Sequence, residues 1–237
     1  MEKLDKHIEE FISKTAIFGN NKSLNDVLED DIKKIIVEEG LRWRYKKGTI
    51  IFDSGDYIHN LYCILNGSVI YELSDSAGNK KIVGFTKNFL SAECYFNKQP
   101  ILYSARVLEE SEIYALSYGT FEKLMLSKSF RDLLLESLGE VCRVCGWQIN
   151  ELAFCDARSR VCRLLCCCAI NDSDGGVPFV KLTHQNIAFI TGVHRVTVSN
   201  ILLSLVKEGK IKKSKSEYII CDWQSMVEEG FRDNILY

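Results

Sequence analysis

The stretch "GVHRVTVSN", residues 192–200, combines side chains that can recognise the edges of DNA base pairs. A guanidinium can bond guanine at two points, an asparagine can pair with adenine, and a valine can pack against the methyl group of thymine. Four of its residues follow the i, i+3, i+4 spacing that places side chains on one face of a helix: Arg195, Val196, Ser199 and Asn200. The sequence therefore predicts a DNA-contacting set in and around such a helix, consisting of Thr183, His194, Arg195, Val196, Thr197, Ser199 and Asn200.

Positive charge is concentrated around this stretch. From Lys181 to Lys215 the chain has seven positive side chains and one negative side chain, whereas the whole chain has a formal net charge of −2. A basic segment on an otherwise acidic chain favours an anionic polymer as its partner. We expect Lys212, Lys213 and Lys215 to lie near phosphates, where they add salt-dependent affinity without sequence information.

The ten cysteines are a second group that could do chemistry. Cys142 and Cys145 are three residues apart on a predicted helix, so their thiols share a face, and Cys162 and Cys166–Cys168 lie on the next helix. Three adjacent cysteines point in different directions and cannot all bind one ion, and cysteine also packs as a small hydrophobic residue. Core packing, redox sensing and metal binding stay open as interpretations, with no metal site and no cofactor in the predicted set.

The elements that position these residues can be predicted from periodicity. Residues 1–40 follow a helical period that ends at Gly40. Between Leu41 and about residue 117, short β-branched and aromatic runs alternate with turn signals such as Asn66-Gly67 and Gly78-Asn79, which is typical of a β-barrel or double-sheet roll.

The second half of the chain has the pattern of a winged helix-turn-helix. Asp156 is the expected N-cap of one helix, and Gly192 provides the turn between two further helices. The segment "KIKKSKSEYIICDW" then predicts a β-hairpin. The predicted fold class is α+β: a cyclic-nucleotide-binding-like β-roll with N-terminal helices (1–118), a long dimerisation helix (119–152) and a winged helix-turn-helix (153–237).

The helical segment from Tyr118 to about Leu152 contains an apolar stripe of the coiled-coil type. Leu134, Leu138, Val141 and Cys145 recur at spacings of four, three and four. A stripe of this length favours a partner helix, which the same helix of a second chain could supply; packing onto the roll is the alternative. The predicted dimerisation set is Leu134, Leu138, Val141, Cys142 and Cys145.

Composition limits where the protein acts. The start, "MEKLDKHIEE", has no apolar core of a secretory signal, and no uncharged apolar run approaches the length of a membrane span. We expect a cytoplasmic protein without a membrane partner.

The order of roll, long helix and winged helix-turn-helix resembles the CRP/FNR superfamily of bacterial transcription regulators over essentially the whole chain. "YKKGTIIFDSGDYIHNLYCILNGSVIYEL" is similar to that family's cyclic-nucleotide-binding roll, and "LTHQNIAFITGVHRVTVSNILLSLVKEGKI" to its DNA-binding segment. The resemblance implies a homodimer on a palindromic promoter site in double-stranded DNA, with RNA polymerase as a partner and a small-molecule effector in the roll. The alternative is a thiol-based redox-sensing regulator that uses Cys142 and Cys145.

The chain departs from the cyclic-nucleotide pattern of that family. Its members hold the cyclic phosphate with a Gly-Glu-aliphatic turn and an Arg-Ser or Arg-Thr pair, onto which Ala92-Glu93-Cys94 and Tyr103-Ser104 fall here. A phosphate would lose its strongest partner with Tyr103 in the place of arginine, so binding of cyclic AMP is not expected. The predicted effector-binding set is Phe85, Phe89, Glu93, Cys94, Tyr103 and Ser104.

Other sensor classes fit less well. The first cysteine is Cys63, so the N-terminal iron–sulfur cluster of the oxygen-sensing branch is excluded, and the scattered histidines exclude an enzyme of the cupin type. The recognition helix and pocket region are similar to those of the halorespiration regulators, which bind chlorinated phenols. A phenolate-binding lysine of that group falls near Val141 here. The effector is therefore expected to be small and either aromatic or carboxylate-bearing.

Overall fold

The computed structural model describes residues 22–170, 177–214 and 217–232. The chain divides into two compact units. One comprises the described residues up to Leu73 together with Val83–Gly146, and the other comprises Ser74–Ile82 together with the described residues from Trp147 onward. The domain limits expected from the sequence stay a prediction.

The described part of the first unit opens with two helices, α1 (Leu24–Val27) and α2 (Asp30–Glu39). The helical period expected for residues 1–21 lies outside the described residues. In α2 the buried residues Ile32 and Ile36 are four apart, so one side of this charged helix faces the core. The helix ends before Gly40, as predicted, and the Gly40 amide donates to the Ile36 carbonyl at 3.0 Å.

The roll itself follows. Its elements in chain order are β1 (Leu41–Tyr45), β2 (Ile50–Phe52), β3 (Leu61–Ser74), β4 (Lys80–Thr86), β5 (Phe89–Leu90), α3 (Ala92–Asn97) and β6 (Ser104–Leu116). The strand order is β1-β6-β3-β4, while β2 also pairs with β6 and β5 with β3. The pairs of β1, β2 and β3 with β6 and of β3 with β5 are antiparallel.

The Asn66-Gly67 signal does not mark a hairpin turn. Both residues lie inside the long strand β3, where its register against β6 shifts between Ile64 and Val69. Gly67 has φ +93°, and a Cβ there would lie 2.1 Å from the Ser111 hydroxyl oxygen, so only glycine fits this bulge. Gly78-Asn79, by contrast, does lie in the connection between β3 and β4.

The helical segment after the roll is two helices rather than one. α4 (Tyr118–Leu124) and α5 (Lys128–Phe154) are separated at residues 125–127, where the sequence predicts an uninterrupted helix. Leu124 and Phe130 are both fully buried in the roll's core cluster. The Ser127 hydroxyl accepts from the Phe130 amide at 3.4 Å, which supports a fresh helix start. The sequence pattern does not reveal the break at residues 125–127, because the helical turns on both sides of it have apolar residues at helical spacing.

The second unit is a winged helix-turn-helix, as predicted. Its elements are α6 (Ala157–Cys167), β7 (Phe179–Val180), α7 (His184–Thr191), α8 (Arg195–Lys207), β8 (Ile211–Ser214), β9 (Glu217–Ile220) and α9 (Trp223–Gly230). Asp156 caps α6 by accepting from the Ser159 amide at 2.7 Å, and the three strands follow the order β7-β9-β8. The α+β fold class, with an N-terminal sheet domain, a long helix and a C-terminal helix-turn-helix, is confirmed.

A buried arginine holds the helices of this unit together. Arg163 on α6 is 1% exposed and donates to the Gly230 carbonyl at 2.8 Å. It also pairs with the buried Glu151 at 3.3 Å. The charge is therefore enclosed with its partners, which is the condition under which a buried ion pair is tolerated.

In the part of the chain that the structure describes, no single helix is long and apolar enough to cross a membrane. Only α7 and α8 taken together, across a bend of 112°, reach that length and composition.

Candidate DNA-contacting surface and effector cavity

The turn before α8 orients this helix. Gly192 has φ +67°, the left-handed conformation that glycine adopts without strain, and its amide donates to the Ala188 carbonyl at 2.9 Å. His194 is the N-cap and is exposed, so α8 begins at Arg195. Five buried residues hold α7 and α8 to the core: Ile187, Ile190, Val198, Leu202 and Leu205.

The first two turns of α8 present an exposed group of side chains. Val196 is 73% exposed, and Arg195, Thr197 and Asn200 are exposed as well. Arg195, Val196 and Asn200 lie on one face by helical spacing. This face offers five guanidinium donors, a methyl surface and an amide, which are the groups needed to contact base edges in a major groove.

Ser199 lies on the same face but is already engaged. Its hydroxyl donates to the Arg195 carbonyl at 3.0 Å and lies 2.7 Å from Nδ1 of His184. Nε2 of His184 is in turn 2.6 Å from the Tyr218 hydroxyl on β9. Burial, followed by the nearby Lys213 and Arg195, lowers the pKa of His184, so the neutral ring is favoured.

His184 and Tyr218 are absent from the predicted site. The sequence signal for His184 is its place directly after Thr183, the N-cap of α7, whose side chain accepts from the Asn186 amide at 3.1 Å. That position brings the ring to the start of the helix-turn-helix, but its partner on β9 follows only from the tertiary fold.

The wing carries two of the predicted lysines. Lys212 and Lys213 are exposed on β8, which pairs antiparallel with β9. Lys215 lies outside the described residues. Exposed ammonium groups are of the kind that can contact a phosphate backbone.

Two cations cap the C-terminal end of α7. The ammonium of Lys81 donates to the Ile190 carbonyl at 3.1 Å, and Arg160 donates to the Thr191 carbonyl at 2.8 Å. Both satisfy carbonyls that a helix end leaves without partners. Burial lowers the pKa of Lys81 to about 8, an effect that Glu151 opposes and Arg160 reinforces.

A small cavity lies between the strands of the roll and α5. Its volume is about 20 Å³, which is room for about one water molecule. The described residues that line it are Tyr71, Phe85, Thr86, Phe89, Ala92, Glu93, Ser137, Leu138 and Val141. None of these carries a positive charge. Three of the predicted effector residues, Phe85, Phe89 and Glu93, are in the wall.

The other predicted effector residues lie beside the cavity rather than in its wall. The Tyr103 hydroxyl donates to the Glu93 carboxylate, and the Ser104 hydroxyl donates to Asp53. Cys94 is 6% exposed within the core cluster. Burial raises the pKa of Tyr103 well above its ordinary value, so the phenol keeps its proton and serves as the donor to Glu93.

The exposed apolar face of α5 overlaps the predicted dimerisation set only in part. Leu134 is 2% exposed and belongs to the core cluster, and Val141 is partly buried against the cavity, so both face their own chain. The apolar side chains exposed on the outer face are Leu135, Cys142, Cys145, Ile149 and Leu152. Together with Leu138, which is partly buried and also lines the cavity, they recur at spacings of three and four, and we call this set the seam. Leu134 therefore packs onto the roll, the alternative left open by the sequence, because periodicity did not distinguish two adjacent apolar stripes. For Leu138, Val141, Cys142 and Cys145, a role in dimerisation stays a prediction.

The cysteines divide by burial. Cys63, Cys94, Cys155, Cys162 and Cys166 are buried, whereas Cys142, Cys145 and Cys221 are exposed, and all ten are free thiols. Burial raises the pKa of Cys166 to about 12 and of Cys167 to about 11, which disfavours the reactive thiolate there. Within the described residues, no group of three histidine, cysteine or acidic side chains could hold a metal ion.

Comparison with known proteins agrees with this architecture. Residues 42–128 match the cyclic nucleotide-binding domain family, and residues 159–228 match the Crp-like helix-turn-helix domain family. The cAMP-activated global transcriptional regulator Vfr of Pseudomonas aeruginosa is 30% identical over 182 residues, covering 72% of this chain and 84% of Vfr. The Anaerobic regulatory protein of Bacillus subtilis is 22% identical, covering 84% of this chain and 90% of the relative.

Two solved structures share the fold. A transcriptional regulator of the CRP/FNR family from Eubacterium rectale gives a TM-score of 0.65 at 20% identity, covering 89% of this chain and 99% of that chain. CprK complexed with OCPA gives a TM-score of 0.62 at 18% identity, covering 84% of this chain and 94% of that chain. Because both domain families match in order and Vfr is 30% identical over most of its length, the chain belongs to the CRP/FNR family as a DNA-binding transcription regulator with an effector-binding domain, not an enzyme.

Proposed function

We propose that the protein binds a palindromic, A/T-rich promoter site as a homodimer and that a small effector in the roll gates this binding. The observation that carries the proposal is the exposed first part of α8, where Arg195, Val196 and Asn200 share one face. In a helix-turn-helix this part of the second helix enters the major groove. Regulation of a promoter implies RNA polymerase as a partner and action in the cytoplasm.

The three residues have separate roles in this proposal. Arg195 bonds guanine, Asn200 pairs with adenine, and Val196 packs against a thymine methyl group, which favours A·T pairs. Lys212 and Lys213 contact phosphates and contribute affinity that falls with salt. Thr183 and His194 stand at the two helix starts, where backbone amides also face a phosphate.

The test is selection of binding sites from random DNA at fixed salt concentration. Val196→Glu and Asn200→Ala should change the preferred base pairs, each at about 1–3 kcal/mol per lost contact. Lys213→Ala is the matched control: it should weaken all sequences alike and reduce the salt slope by about one. A changed preference in Lys213→Ala, with none in the two helix variants, would place the wing and not α8 in the groove.

The effector proposal depends on the cavity wall. Vfr is named as cAMP-activated, and CprK has been solved with OCPA bound. In this chain Tyr103 takes the place of the phosphate-binding arginine and bonds Glu93, and no described wall residue is positive. A cyclic phosphate would therefore meet a carboxylate without a compensating cation, so we propose that cyclic AMP is not the effector.

The same wall distinguishes the two effector classes expected from the sequence. Tyr71, Phe85 and Phe89 offer aromatic surface, whereas Glu93 repels a second carboxylate. We therefore propose an aromatic effector without a carboxylate. Since the cavity has about 20 Å³, binding requires the wall to open.

A thermal-shift comparison of phenol, benzoate and cyclic AMP tests the effector class. Phenol should stabilise the protein, by about 2.7 kcal/mol at a hundredfold excess over its Kd, and Glu93→Gln should reduce discrimination against benzoate. Stabilisation by cyclic AMP at micromolar concentration would overturn the effector proposal while leaving the DNA-contacting face untouched.

The homodimer proposal depends on the seam. Leu135 is 66% exposed and Ile149 is 67% exposed, although each is apolar. A repeat of three and four on an exposed helix face is the pattern of a two-stranded coiled coil. Leu135→Glu should give a monomer by light scattering, and the matched change Glu136→Gln on the flank should leave the dimer intact.

A further inference from the structure

The seam contains a cysteine whose neighbours are unusually small. On the helix surface, Cys142 is flanked three and four residues away by Leu138, Gly139, Cys145 and Gly146. A Cβ built on Gly139 or on Gly146 meets no atom within 4 Å apart from its chain neighbours and the backbone of its own helix. The surface beside Cys142 is therefore open, and a second helix can approach its backbone closely.

The heptad position of Cys142 determines what it would face. With Leu135 and Ile149 seven residues to either side, Cys142 occupies the same heptad position as these two residues. In a parallel, in-register pair, each such residue lies opposite its own copy. A second copy of α5 is the occupant that this exposed heptad repeat fits, since both helices then bury the same apolar stripe.

The expected distance suits a covalent bond. Packed helices have axes about 8–10 Å apart, and their Cα atoms lie about 2.3 Å from each axis. At closest approach, facing Cα atoms are then about 3.4–5.4 Å apart, and the upper part of this interval overlaps the range of about 4.4–6.8 Å that disulfides span. The small residues at 139 and 146 favour such a close approach.

We propose that Cys142 forms a disulfide with the partner's Cys142, which links the two protomers through the seam. This inference rests on the proposed homodimer and adds a modification site to it. The Cys142 thiol is exposed and free in the single chain.

The bond needs a two-electron oxidant, for which we take a peroxide. One Cys142 thiolate attacks hydrogen peroxide, the O–O bond breaks, and a sulfenic acid and water form once protons are transferred. The partner's Cys142 thiolate then attacks that sulfur and releases a second water. Two thiols are thus oxidised to one disulfide while one peroxide is reduced to two waters.

Two other pairings are less favourable. Within one helix, residues three apart have Cβ atoms about 5–6 Å apart, whereas disulfides require about 3.5–4.5 Å, so a Cys142–Cys145 bond would distort α5. In a bond between the two copies of Cys145, the attacking thiolate is disfavoured, because burial, followed by the neighbouring Cys142 and Glu93, raises the pKa of Cys145.

Peroxide treatment followed by a non-reducing gel tests the proposal. The wild-type protein should shift from its 27.1-kDa chain to a band of twice that mass, and dithiothreitol should reverse the shift. Cys142→Ser should lose the band, whereas Cys145→Ser and the exposed-cysteine control Cys221→Ser should keep it. Peptide mass spectrometry should identify Cys142 joined to itself.

Light scattering of the reduced protein separates the two levels of the inference. A reduced dimer that gives no cross-linked band, or a band that persists in Cys142→Ser, would overturn the disulfide alone. A band that is absent because the two thiols close within one chain would do the same. A reduced monomer would overturn the homodimer and the disulfide together.

Discussion

Replacing Lys81 by methionine should make the protein more stable at neutral pH, although it removes a hydrogen bond. The pKa of Lys81 falls from 10.5 to about 8 because of burial. Since each pKa unit is worth about 1.4 kcal/mol, holding the charge there costs about 3 kcal/mol. The bond to the Ile190 carbonyl, at 3.1 Å, contributes about 1–2 kcal/mol. The expected net gain for Lys81→Met is therefore about 1–2 kcal/mol at pH 7.

The pH dependence provides the sharper measurement. Because the folded pKa of Lys81 lies below the unfolded one, the unfolded chain binds more protons between about pH 8 and 10.5, so stability rises with pH in that window. By about pH 9.5 the wild type should gain about 2 kcal/mol relative to Lys81→Met, which removes the advantage of the variant.

Urea unfolding of the reduced proteins at about pH 7 and 9.5 gives the difference in free energy of unfolding between the wild type and Lys81→Met. Groups that titrate equally in both proteins do not contribute to this difference. Lys80→Met is the matched control, because side chains alternate along β4 and Lys80 faces the other side. A stability difference between the wild type and Lys81→Met that stays constant with pH would refute the reasoning, as would a large loss of stability in Lys81→Met at pH 7.

Three further changes have expected outcomes. Arg163→Met should cost about 3–5 kcal/mol in urea unfolding, because it removes the guanidinium that pairs directly with the buried Glu151 and donates to the Gly230 carbonyl. Gly67→Ala should prevent folding of the roll, as judged by circular dichroism, whereas Gly55→Ala, also at positive φ but in open space, should cost only about 1 kcal/mol. Ser199→Ala should leave the selected DNA sequence unchanged, since its hydroxyl is already engaged within the protein; an altered preference in site selection would show that the hydroxyl contacts a base.

The architecture was predictable because its signals are local. The turn at Gly192, the N-cap at Asp156 and the change from alternating to helical spacing each depend on a few neighbouring residues. The bulge at Gly67 was not predictable in the same way. An Asn-Gly pair has the same local signature in a hairpin turn and in a strand, and the contact with Ser111 that fixes the bulge joins residues 44 apart.

The site was predictable only where exposure follows from helix spacing. Arg195, Val196 and Asn200 lie on an exposed face, as the sequence indicates. Ser199 has the same spacing, but its engagement by His184 depends on two helices meeting. Likewise, Leu134 and Leu135 are adjacent apolar residues, and only tertiary packing decides that the first enters the core and the second stays outside.

Around α8, the residues that hold the helix in place are different from those that we propose to contact bases. His184 ties Ser199 to Tyr218, so the helix and the wing are fastened by residues that need not touch a base. Val196 and Asn200, which we propose as base-contacting residues, are exposed, and substitutions at such positions usually change stability by less than about 0.5 kcal/mol. After gene duplication, one or two substitutions at these positions could therefore change the DNA sequence that one copy binds, with little change in its stability.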